Sequence, residues 1–408
     1  MKKYVFFIRE YNDWDNIAPI IYYLAKNSSS KIYICFYRTD LRHTSLFKYL
    51  EKSISEKMQV FHWSPKKMSS VTNLVIRIFN KFSSILKLEK KIVPNKNVPE
   101  NELRRWLEII KGKEKSRLIV IFDRILDPIL QQVRNQLQGL DSIFVSCPHG
   151  PETNINRMKY THQMKRIQKN PELLKYFQSY EYLIFSDHLE LELSEKFSLP
   201  QQHDSLLDKS RLIVLGSIRY CQDWLRHVDI FTNKVIKNDE GKIKVVFFMK
   251  KFVHNVFKDE VHRTLELFVS FPNIDFYIKP HTRGMIFSSK INAPNIHIDY
   301  DSSSSFLINM ADVVFFYGGT SIILEALAKK KLTVCLDYLD ANINVYDHFG
   351  ACQILKCRDD LCFFLDSDIL NKIENNKISG EKILKEIVYA RDNSVSVPDR
   401  YINFFENL

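Results

Sequence analysis

Two stretches of this chain place glycines, cationic side chains and hydroxyls where an anion would be held. Residues 277–284 read YIKPHTRG, putting Lys279, His281 and Arg283 around a proline just after an apolar run. Three such groups on a short loop suit a diphosphate or phosphodiester, and the imidazole of His281 can also donate a proton to a leaving phosphate. Residues 311–327 read ADVVFFYGGTSIILEAL, an apolar run broken by Gly318, Gly319, Thr320 and Ser321 and followed by an amphipathic segment carrying Glu325. That order predicts a strand, a tight turn and a helix start. Glycines let backbone approach a ligand closely, and the first helical turn offers unpaired N–H groups to a phosphate. Glu325 is then placed to accept hydrogen bonds from ribose hydroxyls. The stretch is neither a P-loop nor a dinucleotide fingerprint, and a plain capped helix with Glu325 on its solvated face explains it equally well in isolation.

Candidate proton-transfer groups lie nearer the N-terminus. Residues 147–152 read CPHGPE, so that His149 follows an apolar run and adjoins a glycine; it is a candidate base toward an acceptor hydroxyl, with Glu152 as its rival. Asn154, Asn156, Arg157 and Lys159 follow. In the turn GSIRY at 216–220, Arg219 is expected to reach into an interdomain cleft. Behind the first apolar run, REYNDWD at 9–15 crowds carboxylates ahead of a helix, where Asp13 is either a cap or a base. Asp337 and Asp347 are possible sugar or polyol contacts.

These groups need elements to position them. Short runs rich in β-branched and aromatic residues alternate with helical patterns, which is how a parallel α/β sheet reads. Strands are expected at 4–8, 31–37, 59–62, 118–122, 143–147, 183–186 and 212–215, with helices at 17–26, 71–88, 101–111 and 125–137. A polar spacer at 201–209 and a linker at 234–242 interrupt the pattern, which then restarts. Strands follow at 244–249, 274–279, 296–299, 313–316 and 332–336, with helices at 260–270, 306–310, 320–328 and 381–392. The division expected is 1–238, 239–390 and a C-terminal segment, 391–408, packing back on the first domain. Two doubly wound domains hold ligands at the carboxyl ends of their strands, where most of the singled-out residues fall.

Composition agrees. At 408 residues, with 45% hydrophobic and 26% charged residues, the chain suits two globular α/β domains. The net charge of +11 favours anionic partners, and residues 81–96 (KFSSILKLEKKIVPNK) form a basic segment able to touch an anionic membrane. Seven cysteines without a C-x-x-C pair argue against a zinc site or disulfide framework. The start MKKYVFFIRE is too short in its apolar run for a signal or a span, so a cytoplasmic protein, peripheral at the inner membrane face, is expected.

Taken in order, HG at 149–150, GSIRY at 216–220, KPH at 279–281 and the glycine turn followed by LDYLD resemble the CDP-glycerol glycerophosphotransferase family and neighbouring GT-B glycosyltransferases of bacterial surface polysaccharide synthesis, including CMP-sugar (sialyl and Kdo) transferases. Pro148, Ile218, Thr282 and Gly318–Gly319 depart from that family's pattern. The resemblance implies a GT-B fold, two Rossmann-like domains facing a central cleft, and transfer of a sugar from a nucleotide-activated donor, CMP-linked in preference to CDP-linked, onto a glycan or lipid-linked glycan. Lys279, His281, Arg283, Arg219, Gly318, Gly319, Thr320 and Ser321 would then hold the donor phosphate and Glu325 the ribose. His149, Glu152 or Asp13 would activate the acceptor, with no metal, no separate cofactor and no nucleic acid involved. The alternatives are a CDP-glycerol or polyol-phosphate transferase, a 2-epimerase-like enzyme, and a non-enzymatic protein that binds anionic polymers or membranes.

Overall fold

The computed structural model describes the chain except residues 1, 64–97, 114, 124–125, 155–173, 198–207, 233–240, 253–254, 282–290, 292 and 375–379. The expected helix at 71–88, the basic segment at 81–96, most of the spacer and linker, and Asn156, Arg157, Lys159 and Arg283 lie outside the described residues.

Among the described residues, thirteen strands form two sheets. The first contains β1 (Lys2–Ile8), β2 (Lys31–Phe36), β3 (Met58–His62), β4 (Arg117–Phe122), β5 (Ser142–Ser146), β6 (Tyr182–Phe185) and β7 (Leu212–Val214), in the order β3-β2-β1-β4-β5-β6-β7. The second contains β8 (Ile243–Phe248), β9 (Ile274–Lys279), β10 (Ile296–Ile298), β11 (Val313–Phe316), β12 (Leu332–Leu336) and β13 (Gln353–Leu355), in the order β10-β9-β8-β11-β12-β13. Each strand pairing described is parallel, as the alternation of strand and helix requires. By packing, one unit comprises Met1–Cys147, Ser179–Glu181 and Leu408, and the other Pro148–Gln178 and Tyr182–Asn407.

In the second unit the central strands are apolar on both faces because helices cover both. All four residues of β11 are buried, as are the last four of β8. Phe247, Phe268, Phe276, Phe315 and Tyr317 form the middle of that core, with Phe268 stacked on Phe276 at 4.1 Å between ring centres. The chain passes from β8 to β9 and β10 on one side, then returns to β11 on the other. This reversal is a topological switch point, and the crevice outside the carboxyl ends of β8 and β11 is where such sheets take ligands. Phe316 lies opposite Phe248, so the strands end level and the segments beginning at Met249 and Tyr317 emerge side by side.

Elements not expected from the sequence include β13 and the helices Ser45–Ile54, His188–Phe197, Gln222–Thr232, Arg358–Asp366, Ile369–Glu374 and Val397–Asn407. The expected helix at 381–392 is a three-residue α-helix continued by one π turn, Leu384–Val388. All seven cysteines are free, and five are buried. No helix among the described residues is long and apolar enough to cross a membrane.

Candidate functional site

The glycine turn after β11 is occupied by the protein itself. Gly318 has φ +59°, and a Cβ there would fall 2.7 Å from Lys250 Nζ and still nearer the Asp340 carboxylate. The ion pair of Lys250 with Asp340, Nζ to Oδ2 at 2.9 Å, thus sits in the space a side chain at 318 would fill. A Cβ on Gly319 would lie 2.6 Å from the Thr153 carbonyl, and the Gly319 amide donates to Asn154 Oδ1 at 3.0 Å. The Thr320 carbonyl accepts from the Tyr346 hydroxyl at 2.6 Å, while Ser321 Oγ accepts from the Tyr220 hydroxyl at 2.9 Å. Both glycines are therefore accounted for by close approach of neighbouring side chains and backbone, where close approach of a ligand was expected.

The helix behind the turn, Ile322–Ala328, is correspondingly short, and its acidic residue points inward. Glu325 is 0% exposed and lies 3.5 Å from the Arg219 guanidinium and 3.1 Å from Lys329 Nζ. Lys329 in turn contacts Asp229 at 2.6 Å, and Arg219 stacks over the Tyr220 ring at 4.9 Å. The structure thus brings together the expected residues Arg219, Ser321 and Glu325. It does so as an internal ion-pair network, and Glu325 neither lies on a solvated face nor offers a surface to a ribose.

Lys279 also departs from its expected role. It is 5% exposed at the end of β9, and its ammonium donates to the carbonyls of Tyr300 at 3.0 Å and Ser302 at 2.6 Å, with Asp299 at 4.0 Å. Burial lowers its pKa, opposed by Asp299 and Asp301. Lys279 fastens the loop after β10 instead of extending toward a ligand. His281, two residues further on and half-buried, remains at the strand end where it was expected.

A basic residue at the switch point is Lys250, two residues beyond the end of β8, which sequence reasoning passed over. Its backbone is clamped twice by one hydroxyl: the Lys250 amide donates to Tyr317 Oη at 3.0 Å, and that hydroxyl donates to the Lys250 carbonyl at 3.0 Å. The side chain is 19% exposed. A fixed, partly exposed cation at this crevice can receive a phosphate.

The 149–154 segment lies against the same turn. His149 is half-buried, and Gly150, at φ +106°, makes the bend that follows it. Glu152 Oε1 accepts from the amides of Thr153 at 3.2 Å and Asn154 at 3.1 Å, so this rival base shapes its own segment. Near Glu152, at the end of β6, are Asp187 and Glu190, which the sequence reading did not single out. Ser186 Oγ lies 2.7 Å from Asp187 Oδ2 and 2.8 Å from Glu190 Oε2. One hydroxyl proton cannot serve both carboxylates, so a carboxyl proton completes the pair. Burial pushes Asp187 up to about 7 and Glu190 up to about 8, with Glu152 adding to both. The S-D-H-L-E spacing after an apolar run was the available signal.

In the first unit Asp13 is a cap. Its Oδ2 accepts from the amides of Arg9 at 3.1 Å and Glu10 at 3.2 Å, closing a capping box on the helix Tyr11–Asn27. Beside it, the Tyr37 hydroxyl donates to Asp127 at 2.7 Å, and burial pushes the Asp127 carboxyl up to about 6.

No protein-family model and no curated protein sequence matches the chain. Solved structures do resemble it. A UDP-GlcNAc 2-epimerase of Neisseria meningitidis, bound to UDP-GlcNAc, has a TM-score of 0.51 at 11% identity, covering 100% of this chain and 99% of that one. The wall teichoic acid polymerase TagF, soaked with CDPG, has 0.53 at 11%, covering 99% and 89%. The Arabidopsis thaliana protein UGT89C1, complexed with UDP-L-rhamnose, has 0.54 at 10%, covering 99% and 97%. Two parallel sheets with alternating helices, matched along almost their whole length by these structures, give the chain the GT-B fold.

Proposed function

We propose that the chain is a transferase that moves a sugar from a nucleotide-activated donor, CMP-linked in preference to CDP-linked, onto a glycan of the bacterial surface. The observation that carries this reading is Lys250, a partly exposed cation held rigidly at the switch point of the second sheet in a GT-B fold. In this reading the donor phosphate docks at the carboxyl ends of β8 and β11, where Lys250 and His281 take the charge of the leaving group. The acceptor hydroxyl gives its proton to His149 and forms the new C–O bond to the sugar as the bond to the nucleotide phosphate breaks. Glu152 and Asp13 each accept two backbone amides, which favours the imidazole as the base in this reading.

A second reading, transfer of glycerol phosphate or another polyol phosphate from a CDP-linked donor, is favoured by the order of the HG, GSIRY, KPH and glycine-turn motifs. Product phosphorus separates the two, since only the second adds it. A lipid-linked acceptor at the cytoplasmic membrane face belongs to either reading. Calorimetry against CMP, CDP and UDP tests both: binding of at least one is expected, and no binding by any contradicts the donor site.

A further inference from the structure

We propose that Asp340 is a displaceable counter-ion that holds Lys250 beside Gly318 and yields it only to a diphosphate-bearing or nucleotide-phosphate ligand. This inference rests on the donor-site reading and adds to it a selectivity device.

The two members of the pair are differently provided for. Asp340 is 1% exposed at its side chain, and its Oδ1 accepts from the Asn342 amide at 2.7 Å as well as from the Asn342 side chain. Its backbone bridges Val256, which holds the main chain at Asp340, and Asn342 holds the carboxylate. Lys250 has Asp340 as its ion-pair partner, and its side chain is 19% exposed. An arriving phosphate therefore has a cation to engage, while Asp340 keeps its hydrogen bonds from Asn342; drawing the cation away from a buried carboxylate is costly, and that cost sets the threshold. Gly318 is required because any side chain there would fill the space of the pair.

The consequence is a threshold. An anion must interact with Lys250 more favourably than a carboxylate 2.9 Å away already does, so weakly charged anions are excluded. Two adjoining phosphates, or one phosphate carried by a bound nucleoside, meet that requirement.

The test compares the full-length protein with its Asp340→Asn variant, using orthophosphate, inorganic pyrophosphate, CMP and CDP in calorimetry at low salt. The amide keeps the acceptor for Asn342 and removes the charge. Pyrophosphate, CMP and CDP are expected to bind roughly five- to tenfold more tightly to the variant, and orthophosphate binding to become measurable. A Lys250→Met, Asp340→Asn double variant should lose that gain, and thermal unfolding confirms that each variant is folded. A merely structural aspartate would lower affinity and melting temperature together. Nucleotide binding that is equal or weaker in a folded Asp340→Asn protein overturns this inference alone. Failure of both proteins to bind any nucleotide overturns the donor site and this inference with it.

Discussion

The Gly319 amide donates to the side-chain oxygen of Asn154 at 3.0 Å, joining the segment that carries His149 to the turn that precedes Glu325. Two motifs far apart in sequence are one packed unit. Gly319→Ala puts a methyl group against Asn154 and the Thr153 carbonyl and should destabilise the protein by about 1–3 kcal/mol. Urea unfolding measures this, and an unchanged midpoint would show that the segment does not pack there.

Glu325 lies between Arg219 and Lys329 with no exposed surface. Removing Arg219 leaves Glu325 with Lys329 as its remaining cation, so Arg219→Met should cost about 1–3 kcal/mol. Adding Glu325→Gln to Arg219→Met should recover part of that loss, because the remaining carboxylate is then neutral. A double-mutant cycle from urea denaturation reads the coupling; additive losses would contradict the network.

Lys279 holds the loop after β10 by two carbonyls. Lys279→Met should lower stability by about 1–3 kcal/mol while leaving nucleotide affinity unchanged in the folded protein. Loss of affinity with intact stability would instead assign the ammonium to the ligand.

The Asp187–Ser186–Glu190 group makes stability fall as pH rises. Carboxyls whose folded pKa lies above the unfolded value bind more protons in the folded state, so their contribution is complete below about pH 4 and declines through about 7 and about 8. Above that range three carboxylates, Glu152 included, face one another. The melting temperature should therefore drop between pH 5 and pH 9, and Glu190→Gln should flatten the drop. Parallel pH profiles for the two proteins would remove the shared proton from the account.

Much of the frame was legible. Continuous apolar runs fixed on both faces by helices gave strand bounds identical to those observed for β9, β11 and β12. β13 escaped because its three residues carry little pattern, and the helix Gln222–Thr232 because it follows a turn read only for Arg219. The site was harder to read, for a physical reason. Sequence shows which cations and glycines end a strand, but it does not show which are already satisfied by the fold. Lys279 and Lys250 look alike in sequence, yet one is bound by loop carbonyls and the other stands at the switch point with a single carboxylate. Glu325 read as an exposed helical acid because Arg219, its partner, belongs to a distant turn.

The central claim is that a nucleotide phosphate is held at the carboxyl ends of β8 and β11. A crystal structure of the protein soaked with CMP and with CDP measures this directly. A phosphate oxygen is expected within hydrogen-bonding distance of Lys250 Nζ, beside Gly318. A nucleotide bound elsewhere, with the Lys250–Asp340 pair undisturbed, would contradict it.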